Sequence, residues 1–238
     1  MDKRFHSVEW GDNGTRRRTK TWGEPHKWNQ EAWESNEIRR VFCASLADIF
    51  EDRDELIPWR KDLFDLIDDC YMLAWLILTK RPENVRRFWP MPKIDATAHQ
   101  TVTKIRKERY GVNRRPNVWL GSSVSDQDTF NEWLPRLAAL RPFVRKLFLS
   151  IEPQVSPITL NFSDPPPVDW VIVGGESGRN ARPFDVRWAH SIVEECRSAK
   201  VPVFVKQLGA NVVGGKIKDK KGGDINEFPR EIQVREFP

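Results

Sequence analysis

The chain has 238 residues, 39% hydrophobic and 31% charged, and its 39 Lys and Arg against 34 Asp and Glu give a net charge of +5. That length buries a sizeable core without covalent staples. No apolar run approaches the about 18 residues of a bilayer span, and the charged start, Met1 to Trp10, does not read as a signal peptide. The mild cationic excess permits a phosphate-bearing partner without demanding one.

Residues 1–38 hold Trp10, Trp22, Trp28 and Trp33 in polar, turn-rich sequence and read as an irregular N-terminal segment. Inside it, Arg16, Arg17, Arg18 and Lys20 sit beside Trp22. Such a basic turn suits phosphates and a stacked base, and so a nucleic-acid partner. The plainer reading is a solvated turn, because Asp2, Glu9, Asp12 and Glu24 dilute its field.

From residue 39 to 209 one unit repeats: a short apolar run, a polar turn and an amphipathic helix. Arg40–Ser45 predicts the first strand. A helix follows over about 54–70, with Trp59, Leu63, Leu66, Ile67 and Cys70 on one face and Asp52 or Asp54 as a cap. Leu73–Leu78, apolar on both faces, is a buried parallel strand, and Pro82 opens a short helix to Trp89. A helix over 96–110 is the weakest reading, since its apolar stripe is thin. Asn117–Ser122 is the third strand, with a helix over about 126–140 turning Phe130, Trp133, Leu134 and Leu137 inward. Val144–Leu149, Asp169–Val173 and Val203–Val205 are the fourth to sixth strands. The helix capped by Asp185 carries Val186, Ala189, Val193 and Cys196 on one face. Residues 210–238 form a Gly- and Lys-rich extension, read as a loop with at most a hairpin, packed by Phe228 and Phe237.

Strands alternating with helices imply a parallel sheet. The reading is an α/β fold, a partial or closed (β/α) barrel of about six strands, with an open doubly wound sheet as the alternative. The barrel is preferred because every strand ends in polar groups, whereas a doubly wound sheet gathers its site at one switch point.

Strand C-termini converge on one face. Reading off those positions places Ser45, Asp48, Thr79, Lys80, Arg81, Ser122, Ser123, Glu152, Glu176, Ser177, Lys206 and Gln207 at one mouth. Two carboxylates and several cations confined there would hold a charged ligand. Glu152, Glu176, Lys80 and Lys206 are the candidate reactive groups. Ser45, Asp48, Ser122, Gly174, Gly175, Ser177 and Gln207 are the candidate cofactor contacts. The alternative is that Lys80–Glu152 or Lys206–Glu176 are structural ion pairs. Gly174-Gly175-Glu176-Ser177-Gly178 is the sharpest local signal, since glycines around a carboxylate admit a ligand close to the backbone. A plain tight turn would use the same residues.

Metal chemistry has little footing. Cys43, Cys70 and Cys196 share no CxxC-type spacing and read as buried small hydrophobes, which suits a reducing cytosol. His6, His26, His99 and His190 show no ligand spacing.

Taken in order, Phe42–Phe50, Leu78–Pro82, Pro116–Val124, Leu149–Pro153, Trp170–Gly178, Ala181–Pro183 and Val205–Gly209 resemble the phage-associated three-cysteine-motif proteins, a family of unknown function from phages and bacteria. Longer members carry an upstream segment of three closely spaced cysteines, similar to the iron–sulfur motif of radical S-adenosylmethionine enzymes. This chain begins where that segment would end, and its own cysteines do not replace it. The resemblance therefore implies a radical-enzyme-like barrel of phage origin, cytoplasmic and catalytically incomplete as written. It implies a [4Fe–4S] cluster and S-adenosylmethionine only if an upstream cysteine segment exists. The competing expectations are a non-catalytic phage accessory protein that binds nucleic acid or a protein, and a metal-free barrel hydrolase or transferase resting on the carboxylate–lysine mouth.

Overall fold

The computed structural model describes residues 14–43, 47–92 and 114–238. The expected helix over 96–110 lies outside the described residues. Six strands form one sheet: β1 (Arg39–Cys43), β2 (Leu73–Thr79), β3 (Arg115–Val124), β4 (Val144–Ile151), β5 (Trp170–Gly174) and, after the two-residue β6 (Phe184–Asp185), β7 (Val203–Gln207). Every pairing between them is parallel. The spatial order follows the chain without reversal, so there is no switch point and the doubly wound alternative falls. Twist accumulates in one sense across such a sheet, and it curls into a half-barrel.

The strands have two unlike faces. Leu73, Trp75, Ile77, Val118, Leu120, Leu147, Leu149, Val171, Val173, Val203 and Val205 form the main core with the helices. These are α1 (Glu24–Glu34), α2 (Leu56–Asp69), α3 (Pro82–Phe88), α4 (Gln127–Ala138) and α5 (Val186–Ser198). The alternate residues build a separate aromatic cluster on the concave face from Ala74, Leu76, Trp119, Phe148, Trp170 and Ile172, with Leu78 and Phe204 packed against it. The period of two puts successive side chains on opposite faces. Gly121 belongs to the concave set, and the ring of Phe148 occupies the space its Cβ would need.

Local chemistry explains most helix boundaries. Asp126 caps α4 in a reciprocal box, its carboxylate accepting from the Thr129 amide at 2.9 Å while the Thr129 hydroxyl accepts from the Asp126 amide at 3.2 Å. The Asp185 carboxylate accepts from the Arg187 amide at the start of α5. Three expectations change. The segment 1–38, expected to be irregular, carries α1, which starts at Glu24 with a proline second, ends at Glu34 and buries only Pro25 and Ala32. So narrow an apolar stripe leaves almost no periodicity to read. At α2 the cap is Glu55, without a side-chain bond, and Asp52 pairs with Arg87 instead. In the C-terminal extension, β8 (Val212–Val213) pairs in parallel with β6 rather than forming a hairpin.

The outer edge of β7 is covered by the tail of the chain. The Val205 amide donates to the Val234 carbonyl at 2.9 Å, the Glu236 amide donates to the Val203 carbonyl at 3.0 Å, and Arg235 bridges Phe204 antiparallel. The Trp170 indole N–H then donates to the Glu236 carbonyl at 2.8 Å. Phe237 lies against both Trp170 and Phe204, each at 5.3 Å between centroids. From the opposite edge, Arg40 of β1 stacks on Phe237 at 3.9 Å. The tail thus spans the missing wall near the strand N-termini and leaves the C-terminal mouth open. No helix of the described residues is long and apolar enough to cross a membrane.

Candidate functional site

At the mouth the structure unites two of the four candidate reactive groups. Glu152 leaves β4 and Lys206 lies on β7, with β5 between them. The Lys206 ammonium donates to Glu152 Oε2 at 2.9 Å. The Ser123 hydroxyl bonds the Glu152 carbonyl at 3.4 Å, tying the base of the residue to β3. Glu176 does not meet Lys206. It accepts from the backbone amide of Arg182 at 3.1 Å and from its Nε at 2.8 Å. That charge-assisted bond holds the Glu176 carboxyl below its ordinary range. Lys80 follows β2, is exposed, and has its backbone N–H on Asp48.

The candidate cofactor contacts separate by what already occupies them. Ser45 lies outside the described residues. Asp48 is heavily engaged, accepting from the Thr79 hydroxyl at 2.9 Å, the Lys80 amide at 2.9 Å, the Phe50 amide at 3.0 Å and the Arg81 guanidinium at 3.1 Å. It therefore fixes the exit of β2. Ser122 is buried and its hydroxyl donates to the Thr79 carbonyl at 3.2 Å. Gln207 donates to the Gly175 carbonyl at 2.9 Å. A side chain on Gly174 would press on the Gln207 backbone, and one on Gly175 would collide with the Leu208 carbonyl. Close approach between the exits of β5 and β7 is thus one reason for the two glycines. Ser177 is half-buried in the same loop, and the space around Gly178, at φ +124°, is open.

Sequence reasoning missed Arg182 as a mouth residue, although it lies only six positions beyond Glu176 on the same loop. It also missed Gln154. That side chain is buried just past Glu152, donates to the Ser156 carbonyl at 3.1 Å, and leaves Oε1 without a partner. The basic turn is partly committed elsewhere. Arg16 makes a two-pronged pair with Glu51 at 2.7 and 2.8 Å, which keeps that buried carboxyl below its ordinary range. Arg18 pairs with Asp62 at 2.6 Å and stacks 3.8 Å over Trp22.

The thiols do not fit an iron–sulfur cluster. They lie on β1, at the end of α2 and within α5. Burial pushes Cys43 and Cys70 up to about 11 and Cys196 up to about 12, and no two of the three share an element. Among the described residues no group of three His, Cys, Asp or Glu side chains is placed to hold a metal ion. No chemical step is therefore routed through a cluster held by these residues.

A family model described as "Protein of unknown function (DUF5131)" matches residues 1–229, nearly the whole chain. The chain belongs to that family. The family's description carries no activity, and neither phage origin nor kinship with radical enzymes follows from the match. No curated protein sequence and no solved structure matches the chain.

Proposed function

We propose that this family member is a ligand-binding half-barrel whose site is the mouth formed by Glu152, Glu176, Lys80 and Lys206. Its likeness to radical S-adenosylmethionine enzymes is then one of architecture: a parallel array with its site at the strand C-termini. The carrying observation is the Glu152–Lys206 pair. It joins strands that are not neighbours, at the open end of a concave face whose other end is closed by Phe237 and Arg40. A charged ligand meets the outward side of that pair, and half-buried Leu78 on the same face supplies apolar contact.

The nucleic-acid reading through the basic turn has less support. Two of its four cations are spent on Glu51 and Asp62, and Trp22, the ring for stacking, already carries Arg18.

The test is ligand-induced stabilisation across a panel of anionic, cationic and neutral metabolites, with Lys206→Gln and Glu152→Gln beside the natural chain. A true ligand at about 100 times its Kd stabilises by roughly 2.7 kcal/mol. One class is expected to protect the natural chain and to lose most of that effect in the variants. A panel with no protecting class, or protection indifferent to both variants, removes the mouth as the site.

A further inference from the structure

Several ion pairs away from the mouth share solvent about equally between their partners. Side-chain exposure is 45% for Arg136 and 45% for Glu83, 42% for Arg39 and 40% for Glu31, and 49% for Arg197 and 53% for Glu194. At the mouth the balance tilts one way. Lys206 is 52% exposed against 18% for Glu152, Arg182 is 55% against 33% for Glu176, and Arg81 is 34% against 13% for Asp48. Long cationic stems reach for water anywhere, and Lys61–Asp65 on α2 and Arg187–Asp185 at the start of α5 tilt the same way, but at the mouth three such pairs occur together. Each acid sits inward at a strand exit and each cation faces outward.

The bonding of Arg182 sharpens this. Glu176 takes its Nε, and among the described residues its two terminal amino groups carry no bond. A guanidinium fixed through Nε offers its outer edge as a fork for two oxygens of one anion. Lys206 makes one bond with three donors, and Lys80 adds a third exposed cation.

We infer that the mouth takes a small phosphate-bearing ligand, gripped by Lys206 and Arg182, with Glu152 and Glu176 as positioning residues that aim those cations. This rests on the mouth being the site and adds the charge and class of what it holds. A carboxylate that orients a cation also tempers its field, so binding is selective for geometry rather than for any polyanion.

The experiment is calorimetric titration of the full chain with tripolyphosphate, AMP, adenosine, spermidine and a ten-residue oligothymidylate, at low and high salt. Tripolyphosphate and AMP are expected to bind, adenosine at least about tenfold more weakly, and spermidine not at all. Lys206→Gln and Arg182→Gln each weaken phosphate binding about tenfold while the thermal midpoint stays near that of the natural chain. Glu176→Gln weakens it in the natural background but adds nothing once Arg182 is Gln, a coupling that a merely structural role would not show.

Spermidine or adenosine binding that depends on Glu152 or Glu176 overturns the anionic assignment and leaves the mouth as the site. Oligothymidylate binding more than about tenfold tighter than tripolyphosphate overturns the small-molecule assignment in favour of single-stranded nucleic acid. Phosphate binding unchanged in both Lys206→Gln and Arg182→Gln places the anion elsewhere. No binding by any probe overturns the phosphate assignment and leaves the mouth to be judged by the wider metabolite panel.

Discussion

At the strand N-termini, Arg115 opens β3 fully buried. It is clasped by both oxygens of Asp68 at 2.9 Å and by the Pro90 carbonyl at 2.8 Å, and it stacks on Phe64 and Trp89. At the C-termini, Lys206 reaches Glu152 through a single bond and stays mostly in water. The residue types are alike and the surroundings opposite. A buried cation with every donor satisfied is structure, because removing one partner strands a charge without solvent. An exposed cation with donors to spare costs the fold little when lost and is free to meet something else. The closed end supplies stability and the open end supplies binding.

The comparison breaks most visibly at Arg115. Arg115→Ala is expected to destabilise the fold by about 3–5 kcal/mol, because it leaves Asp68 charged and buried. Chemical denaturation measures it. Pairing Arg115→Met with Asp68→Leu should recover most of that loss, and failure to recover would mean that the pair does more than neutralise itself. Next comes the concave floor between the two ends. Gly121→Ala forces a methyl into the Phe148 ring and should cost about 1–3 kcal/mol. A cost near zero would show that the floor yields.

A smaller effect depends on pH. The folded Glu51 carboxyl ionises below the ordinary 4.5 because Arg16 bonds its charged form. Its contribution is therefore present above that ordinary value and is lost as pH falls through the lower folded one. The stability gap between the natural chain and Glu51→Gln, followed by thermal midpoint, should be widest near neutrality and narrow as pH falls below the ordinary carboxylate range. The smallest effect belongs to Lys206→Gln. It should change stability by under about 1 kcal/mol, and a larger loss would move Lys206 from the binding end of the comparison to the structural end.

All six main strands were legible in the sequence, because each is a short run rich in apolar residues bounded by turn residues, and β2 to β5 are buried along nearly their whole length. The parallel sheet was legible too, but its order was not, since repeated strand–helix units suit both a barrel and a doubly wound sheet. The α1 helix was not, because two buried residues in eleven leave no stripe to detect. At the mouth, Glu152 and Lys206 could be placed by rank along their strands, which fixes where a side chain starts. Which partner it takes was not fixed. Glu176 was weighed against Lys206, yet Arg182 from its own loop reaches it through both backbone and side chain. Asp48 and Ser122 show the limit of rank from the other side. They stand at strand exits as expected, but neighbouring amides and carbonyls already use their oxygens.

The clasp of Phe237 by Arg40 joins one of the last residues of the chain to the first strand. Each strand–helix unit meets its neighbour as soon as it leaves the ribosome, but this contact must wait until residue 237 has emerged. Until then the aromatic floor lies uncovered at its base. The nascent protein accordingly passes through a stage in which its helices are docked and its greasy inner wall is open to chaperones or to other unfinished chains.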